Sequence, residues 1–128
     1  MQKDNLGYKV LIAEDNLLNM RLFKDLLELR KATTICVDDG RKVIKETLKH
    51  KPHLILMDIR LNNISGIDII KEIKNNIEIK DIPIIALTAF AMKNDQERIL
   101  SSGCEDYMSK PISIDKFFQV VGKFTPIV

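Results

Sequence analysis

The sequence predicts one α/β domain with five parallel strands in a single sheet and helices on both faces. Two observations carry this. Val10-Leu11-Ile12-Ala13, Leu54-Ile55-Leu56-Met57 and Ile84-Ile85-Ala86-Leu87 are short, wholly apolar runs bounded by polar residues. Runs of that kind are strands buried on both faces, as in parallel sheets. Strand-like runs also alternate with longer segments of helical periodicity, and that alternation places helices on both sides of a parallel sheet.

The first strand is expected over about Lys9 to Ala13. A helix follows from Asn16, a suitable N-cap, with Asn19, Leu22, Phe23, Leu26 and Arg30 on one face. Thr33 to Val37 is a short β-branched strand, and Asp38-Asp39-Gly40 turns the chain into a second helix reaching His50. Pro52 breaks that helix before the third strand, His53 to Met57. After the loop Arg60 to Gly66, the third helix, Ile67 to Asn75, buries Ile67, Ile70 and Ile73. Pro83 opens the fourth strand, Ile84 to Leu87. The fourth helix, about Lys93 to Ser102, stops at Gly103, a suitable C-cap. A fifth strand, about Asp106 to Met108, precedes a helix capped by Ser113, with Ile114, Phe117, Val120 and Val121 as its apolar positions. One domain is expected over residues 1–128, with its core at about 8–123 and no output domain.

Bulk properties narrow the function. With 20 Lys and Arg against 18 Asp and Glu, the net charge of +2 gives no electrostatic case for nucleic acid or an anionic membrane. Lys71 to Lys80 is rich in Lys and Asn but lacks interleaved aromatics, so it reads as a solvated helix end and loop. Cys36 and Cys104 do not form a metal-ligand spacing with His50 and His53, and are expected to be reduced thiols. No apolar stretch is long enough to span a membrane, and the first residues lack a signal-peptide pattern. A cytoplasmic location is expected.

The strand ends carry the chemistry. The first apolar run meets Glu14-Asp15, the second Asp58, the third Thr88, and the fifth strand meets Lys110-Pro111. Parallel strands share a direction, so these groups come to one edge of the sheet, where ligands bind in open α/β folds. Three carboxylates, a hydroxyl and an ammonium together suit a metal ion, a phosphoryl group and a nucleophilic aspartate. Asp58, rigidly aimed from a buried strand, is the candidate nucleophile for an acyl phosphate. Asp15 and Glu14 suit Mg²⁺, which takes a few carboxylates, waters and phosphate oxygens. Lys110 would meet a phosphoryl oxygen as a point charge, and Thr88 would donate its hydroxyl. Each residue alone has a plainer explanation: a loop cap, a solvated acid, a strand-end hydroxyl, a loop lysine.

Taken together, these residues resemble the quintet of response-regulator receiver domains. Asp58 follows Asp15 by 43 residues, and Thr88 and Lys110 follow Asp58 by 30 and 52. Ala13-Glu14-Asp15-Asn16, Leu56-Met57-Asp58-Ile59, Leu87-Thr88-Ala89-Phe90-Ala91-Met92 and Ser109-Lys110-Pro111-Ile112 are similar to the family's wording. Within the family the chain looks most like stand-alone regulators of the DivK type, which implies cell-cycle or division control.

The resemblance implies the flavodoxin-like, CheY-like sheet order 2-1-3-4-5. It implies Mg²⁺ held by Glu14, Asp15, Asp58 and the backbone carbonyl of Arg60, and a cis proline at Pro111 that turns Lys110 inward. Glu14 departs from the commoner Asp-Asp pair, so its metal contact is expected to be direct or through water. Asn62 stands where proline is usual, a change expected to touch no ligand. Phosphorylation would draw in Thr88 and the loop Ala89 to Met92, opening space for Tyr107; Tyr107 as a plain half-buried aromatic is the alternative. Arg60 and Phe90 are expected to shield the acyl phosphate and lengthen its life. Leu17, Leu18, Met20 and Arg21, beside the mouth, are expected to receive a sensor histidine kinase or histidine phosphotransferase. A downstream kinase or adaptor would read the switch. The charged last helix permits a monomer or a weak dimer.

Two other classes stay open. One is a pseudo-receiver that binds partners without being phosphorylated, although all five positions carry competent side chains. The other is an aspartyl-nucleophile hydrolase, disfavoured because Arg60 is not the second acid such enzymes place two residues on. A non-enzymatic phosphoacceptor, at most catalysing its own phosphorylation and dephosphorylation, is the leading expectation.

Overall fold

A computed structural model describes residues 8–89 and 93–125. The main sheet comprises β1 (Lys9–Ala13), β2 (Thr33–Val37), β3 (Leu54–Asp58), β6 (Ile84–Thr88) and β7 (Asp106–Ser109). Two minor strands, β4 (Arg60–Leu61) and β5 (Ile64–Ser65), form an antiparallel hairpin after β3. The helices are α1 (Leu17–Leu29), α2 (Val43–His50), α3 (Gly66–Lys74), α4 (Lys93–Ser101) and α5 (Ile114–Val121), with a 3₁₀ turn, Gly40–Lys42, before α2. The main sheet is parallel throughout, in the order β2-β1-β3-β6-β7. Counting only these five strands, this is the expected order 2-1-3-4-5.

Strand side chains alternate between two cores, as the period of two requires. Leu11, Ala13, Ile55, Met57, Ile84 and Ala86 face α2, α3 and α4 through Val43, Ile70, Ile73 and Ile99. Val10, Ile12, Leu54, Leu56, Ile85 and Leu87 face α1 and α5 through Phe23, Leu27, Phe117 and Val121. Phe23 and Phe117 stack with ring centroids 5.6 Å apart and tie α1 to α5. The predicted caps hold: Asn16 accepts from the Asn19 N–H and Ser113 from the Lys116 N–H. Gly103 has φ +105, a left-handed conformation that glycine adopts without a Cβ penalty.

Some local expectations change. The buried face of α1 is Phe23, Leu26 and Leu27, whereas Leu22 is about one-third exposed, at 37%, and Arg30 lies 4.4 Å over the Phe118 ring. Ile114, first in α5, points outward because only later turns face the sheet. The third strand begins at Leu54; His53 instead accepts the Lys9 N–H on Nδ1 and stacks on Tyr8. Cys36 and Cys104 are free thiols. Among the described residues no helix is long and apolar enough to cross a membrane.

Candidate functional site

The register brings the predicted residues to one edge. Ala13 pairs with Met57, Asp58 with Leu87, and Thr88 with Ser109, so Glu14, Asp58, Thr88 and Lys110 leave adjacent strands together. Asp58 is buried. Its Oδ1 accepts the Arg60 N–H at 2.9 Å, and its Oδ2 accepts from Lys110 Nζ at 2.7 Å. Thr88 is fully buried beside it. The Lys110–Pro111 bond is cis, as the resemblance implies, and the Lys110 N–H donates to the Thr88 carbonyl.

Glu14 is not a solvated acid: it is only 1% exposed. Its Oε2 accepts the Asn16 N–H at 3.0 Å. Its Oε1 forms an ion pair with Lys110 Nζ at 3.1 Å and has no hydrogen-bond partner among the described residues. Burial pushes the Glu14 carboxyl up to about 7, reinforced by the neighbouring Asp58 carboxylate; the Asn16 N–H and Lys110 act the other way. Burial alone would lower the Lys110 pKa, but Asp58 and Glu14 outweigh it and raise it.

One oxygen each from Glu14, Asp15 and Asp58 lie within 4.8 Å of one another. Three hard oxygen donors, two of them from the buried Glu14 and Asp58, fit a small divalent cation such as Mg²⁺. Gathering three carboxylates is costly without a compensating charge, and the upward shift at Glu14 and the Lys110 ammonium both work against that repulsion.

The loop after β3 is more ordered than the sequence suggests. Asn62 and Asn63 have φ 48 and 66 and close the β4–β5 hairpin. Asn62 does touch a candidate ligand: its N–H donates to Asp15 Oδ2 at 3.0 Å. The expectation that this position contacts no ligand is therefore corrected. An Asn-Asn pair is a tight-turn signal, and the contact arises because residue 62 has an N–H that proline would lack. Gly66 is a second residue not singled out. Its N–H donates to the Ile59 carbonyl, and a Cβ there would fall 2.4 Å from the Asp58 carbonyl oxygen.

Of the expected docking residues, Leu17 and Leu18 are 79% and 81% exposed. Arg21 is exposed and pairs with Asp25 at 3.2 Å. Met20 is partly buried against the α1–α5 core, because it shares the face of Phe23 and Leu27, and so presents less surface than Leu17 and Leu18. A cleft lined by Asn19, Leu22, Lys110, Pro111 and Ile112 joins this end of α1 to the mouth. Tyr107 is half-buried against the α2–α4 core. Arg60 is exposed at the rim, and Phe90 lies outside the described residues.

Comparison with known proteins decides the family: the response regulator receiver domain profile matches residues 10–122. The chain belongs to this family. It is also 47% identical over 115 residues to the polar-differentiation response regulator DivK of Brucella anthropi, covering 90% of this chain and 94% of that protein. The DivK of Brucella ovis gives the same identity and coverage. Among solved structures, the receiver domain of a sensor histidine kinase from Pseudomonas aeruginosa superposes with TM-score 0.84 at 30% identity, covering 92% of this chain and 97% of that one. That receiver holds a magnesium ion coordinated in its active-site cleft. The chemotaxis protein CheY4 of Vibrio cholerae, at 18% identity and TM-score 0.85 over 92% of this chain and 98% of that one, shares the fold. The present chain is thus a response-regulator receiver homologous to DivK.

Proposed function

We propose that this receiver is a phosphoacceptor switch of a two-component phosphorelay, with Asp58 taking a phosphoryl group from a phospho-histidine. The supporting observation is the setting of Asp58: buried, with one oxygen on the Arg60 N–H, the other on Lys110, and two further carboxylates alongside. An Asp58 oxygen forms the new bond to phosphorus, the phosphorus–nitrogen bond breaks, and the imidazole leaves with the bonding pair. The Arg60 N–H aims the aspartate, and Lys110 moves its charge from the carboxylate to a phosphoryl oxygen. Thr88 supplies a hydroxyl to the same group. Glu14, Asp15 and Asp58, with the Arg60 carbonyl, would hold Mg²⁺. When bound, Mg²⁺ supplies positive charge against the phosphoryl oxygens.

Phosphorylation adds about −1.5 to −2 charges and new acceptor oxygens. Thr88 then moves toward them, and Tyr107, on the neighbouring strand, follows into the space released. The new shape is read by a downstream kinase or adaptor. Likeness to DivK supports a role in cell-division control in the cytoplasm, with no direct contact to nucleic acid.

The donor docks on the start of α1. Leu17 and Leu18 are apolar, exposed and beside the cleft that leads to Lys110. With a phospho-histidine kinase as donor, the wild type is expected to accept label. Leu17→Ala with Leu18→Ala is expected to slow transfer by about tenfold, the loss of one good apolar contact. Unchanged transfer in the variant would place docking elsewhere, and no acceptance by the wild type from any histidine donor would contradict the phosphorelay reading.

Arg60 shields the acyl phosphate from water at the rim. Arg60→Ala is expected to shorten the phosphoryl lifetime by at least about threefold by admitting water. The decay of phosphorylated protein after donor removal reports this directly, and an equal decay in both proteins would remove Arg60 from that role.

A further inference from the structure

The contact between Asn62 and Asp15 belongs to a tether that crosses three loops. The Asn62 carboxamide Nδ2 donates to the Asp38 carbonyl at 2.8 Å, anchoring the hairpin turn to the segment after β2. The Asn62 backbone N–H donates to Asp15 Oδ2 at 3.0 Å, in the segment after β1. The hairpin is fixed from below by Leu61, which is fully buried. Its turn has positive φ at Asn62 and Asn63, a conformation asparagine tolerates better than most residues.

We propose that Asn62 is a positioning residue for the divalent cation. Its carboxamide moors the turn, and the moored N–H aims the Asp15 carboxylate into the mouth. The inference rests on the reading that Glu14, Asp15 and Asp58 bind Mg²⁺. Asp15 is the least buried of the three, so without this hydrogen bond its side chain would rotate in solvent and be ordered only on binding. A carboxylate has two oxygens and about four acceptor positions. Donation to Oδ2 leaves Oδ1 for the cation, and the hydrogen bond persists in the bound state. It fixes orientation as the outer partners of metal ligands commonly do.

Asn62→Gly separates the parts of the tether. Glycine keeps the N–H and tolerates positive φ, so the turn can still form, but the anchor to Asp38 is lost. Asn63→Gly is the matched control: it sits in the same turn with positive φ and takes part in neither contact. The experiment is calorimetric titration of Mg²⁺ into wild type and both variants, with thermal melts in the absence of metal. The expected result is an affinity about tenfold weaker in Asn62→Gly and unchanged in Asn63→Gly. Metal-free melting midpoints should agree between the two variants. Amide hydrogen exchange at position 62 should be faster in Asn62→Gly, as it should also be in Asp15→Ala, which removes the acceptor. Equal Mg²⁺ affinity in wild type and Asn62→Gly would overturn the inference while leaving the metal site intact. So would equal losses in both glycine variants, which would trace the effect to turn flexibility. Absence of Mg²⁺ binding by the wild type at millimolar concentrations would overturn the site assignment itself, and the inference with it.

Discussion

Gly66→Ala is expected to lower the stability of the protein by about 3 kcal/mol, the upper part of the range for forcing extra atoms into a packed site. A Cβ at this position would lie 2.4 Å from the Asp58 carbonyl oxygen and 2.5 Å from the Ile59 Cα. Both are backbone atoms, so no side chain can turn aside to relieve the clash. The start of α3 would have to lift from β3, disturbing the Gly66 N–H bond to Ile59 and the Ser65 cap. Gly40 differs: a Cβ there meets only the Ile64 side chain at 3.2 Å. Thermal melts should show Gly66→Ala falling by about 10 °C, using the usual relation of midpoint to free energy for a domain of this size. Because Asp58 sits at the clash, phosphorylation should fall with it. A midpoint within about 2 °C of wild type would show that this close approach is not required by the fold.

Glu14→Gln is expected to move stability and metal affinity in opposite directions. The unfolded chain ionises Glu14 near its ordinary 4.5, whereas the folded protein holds the proton to about 7. The folded state therefore binds this proton more tightly, and its contribution to stability is complete below the unfolded value. It declines as pH rises from about 4.5 and is lost above about 7. Glutamine imitates the protonated acid at every pH, accepting from the Asn16 N–H and donating toward Asp58. Without Mg²⁺ at pH 8, the variant should be more stable than wild type by about 1–2 kcal/mol, after allowance for solvent at the mouth. At pH 5 the difference should disappear. Mg²⁺ binding, by contrast, needs the carboxylate and must displace its proton. Wild-type affinity should rise about tenfold from pH 6 to pH 8, whereas the variant should bind weakly at both. Melts and Mg²⁺ titrations at the two pH values test both halves. Greater wild-type stability at pH 8 without metal would contradict the role assigned to Glu14.

The main sheet was legible because its central strands are buried on both faces and read as unbroken apolar runs. Val10 to Ala13, Leu54 to Met57 and Ile84 to Leu87 need no partner to be recognised. Their direction then placed Asp58, Thr88 and Lys110 at one mouth. The hairpin Arg60–Ser65 was not legible, because two-residue strands carry no periodicity and the Asn62-Asn63 turn pair is a weaker signal than Asn-Gly. Nor can two adjacent acids reveal which points inward. Glu14 continues the ladder of β1, its N–H donating to the Val37 carbonyl, so it lies under the mouth, while Asp15 has already left the sheet. The partial burial of Met20 and the exposure of Ile114 were not legible for a related reason: helix periodicity gives a face, but its phase against the sheet is set by tertiary packing at each helix start.

The most direct test of the central claim is intact mass after incubation with a small phosphodonor, with and without Mg²⁺, for wild type and Asp58→Asn. The account predicts a gain of one phosphoryl group that requires Mg²⁺ and is absent from the variant. No gain in the wild type, from the small donor or from a phospho-histidine kinase, would contradict it and leave a receiver that acts by binding alone.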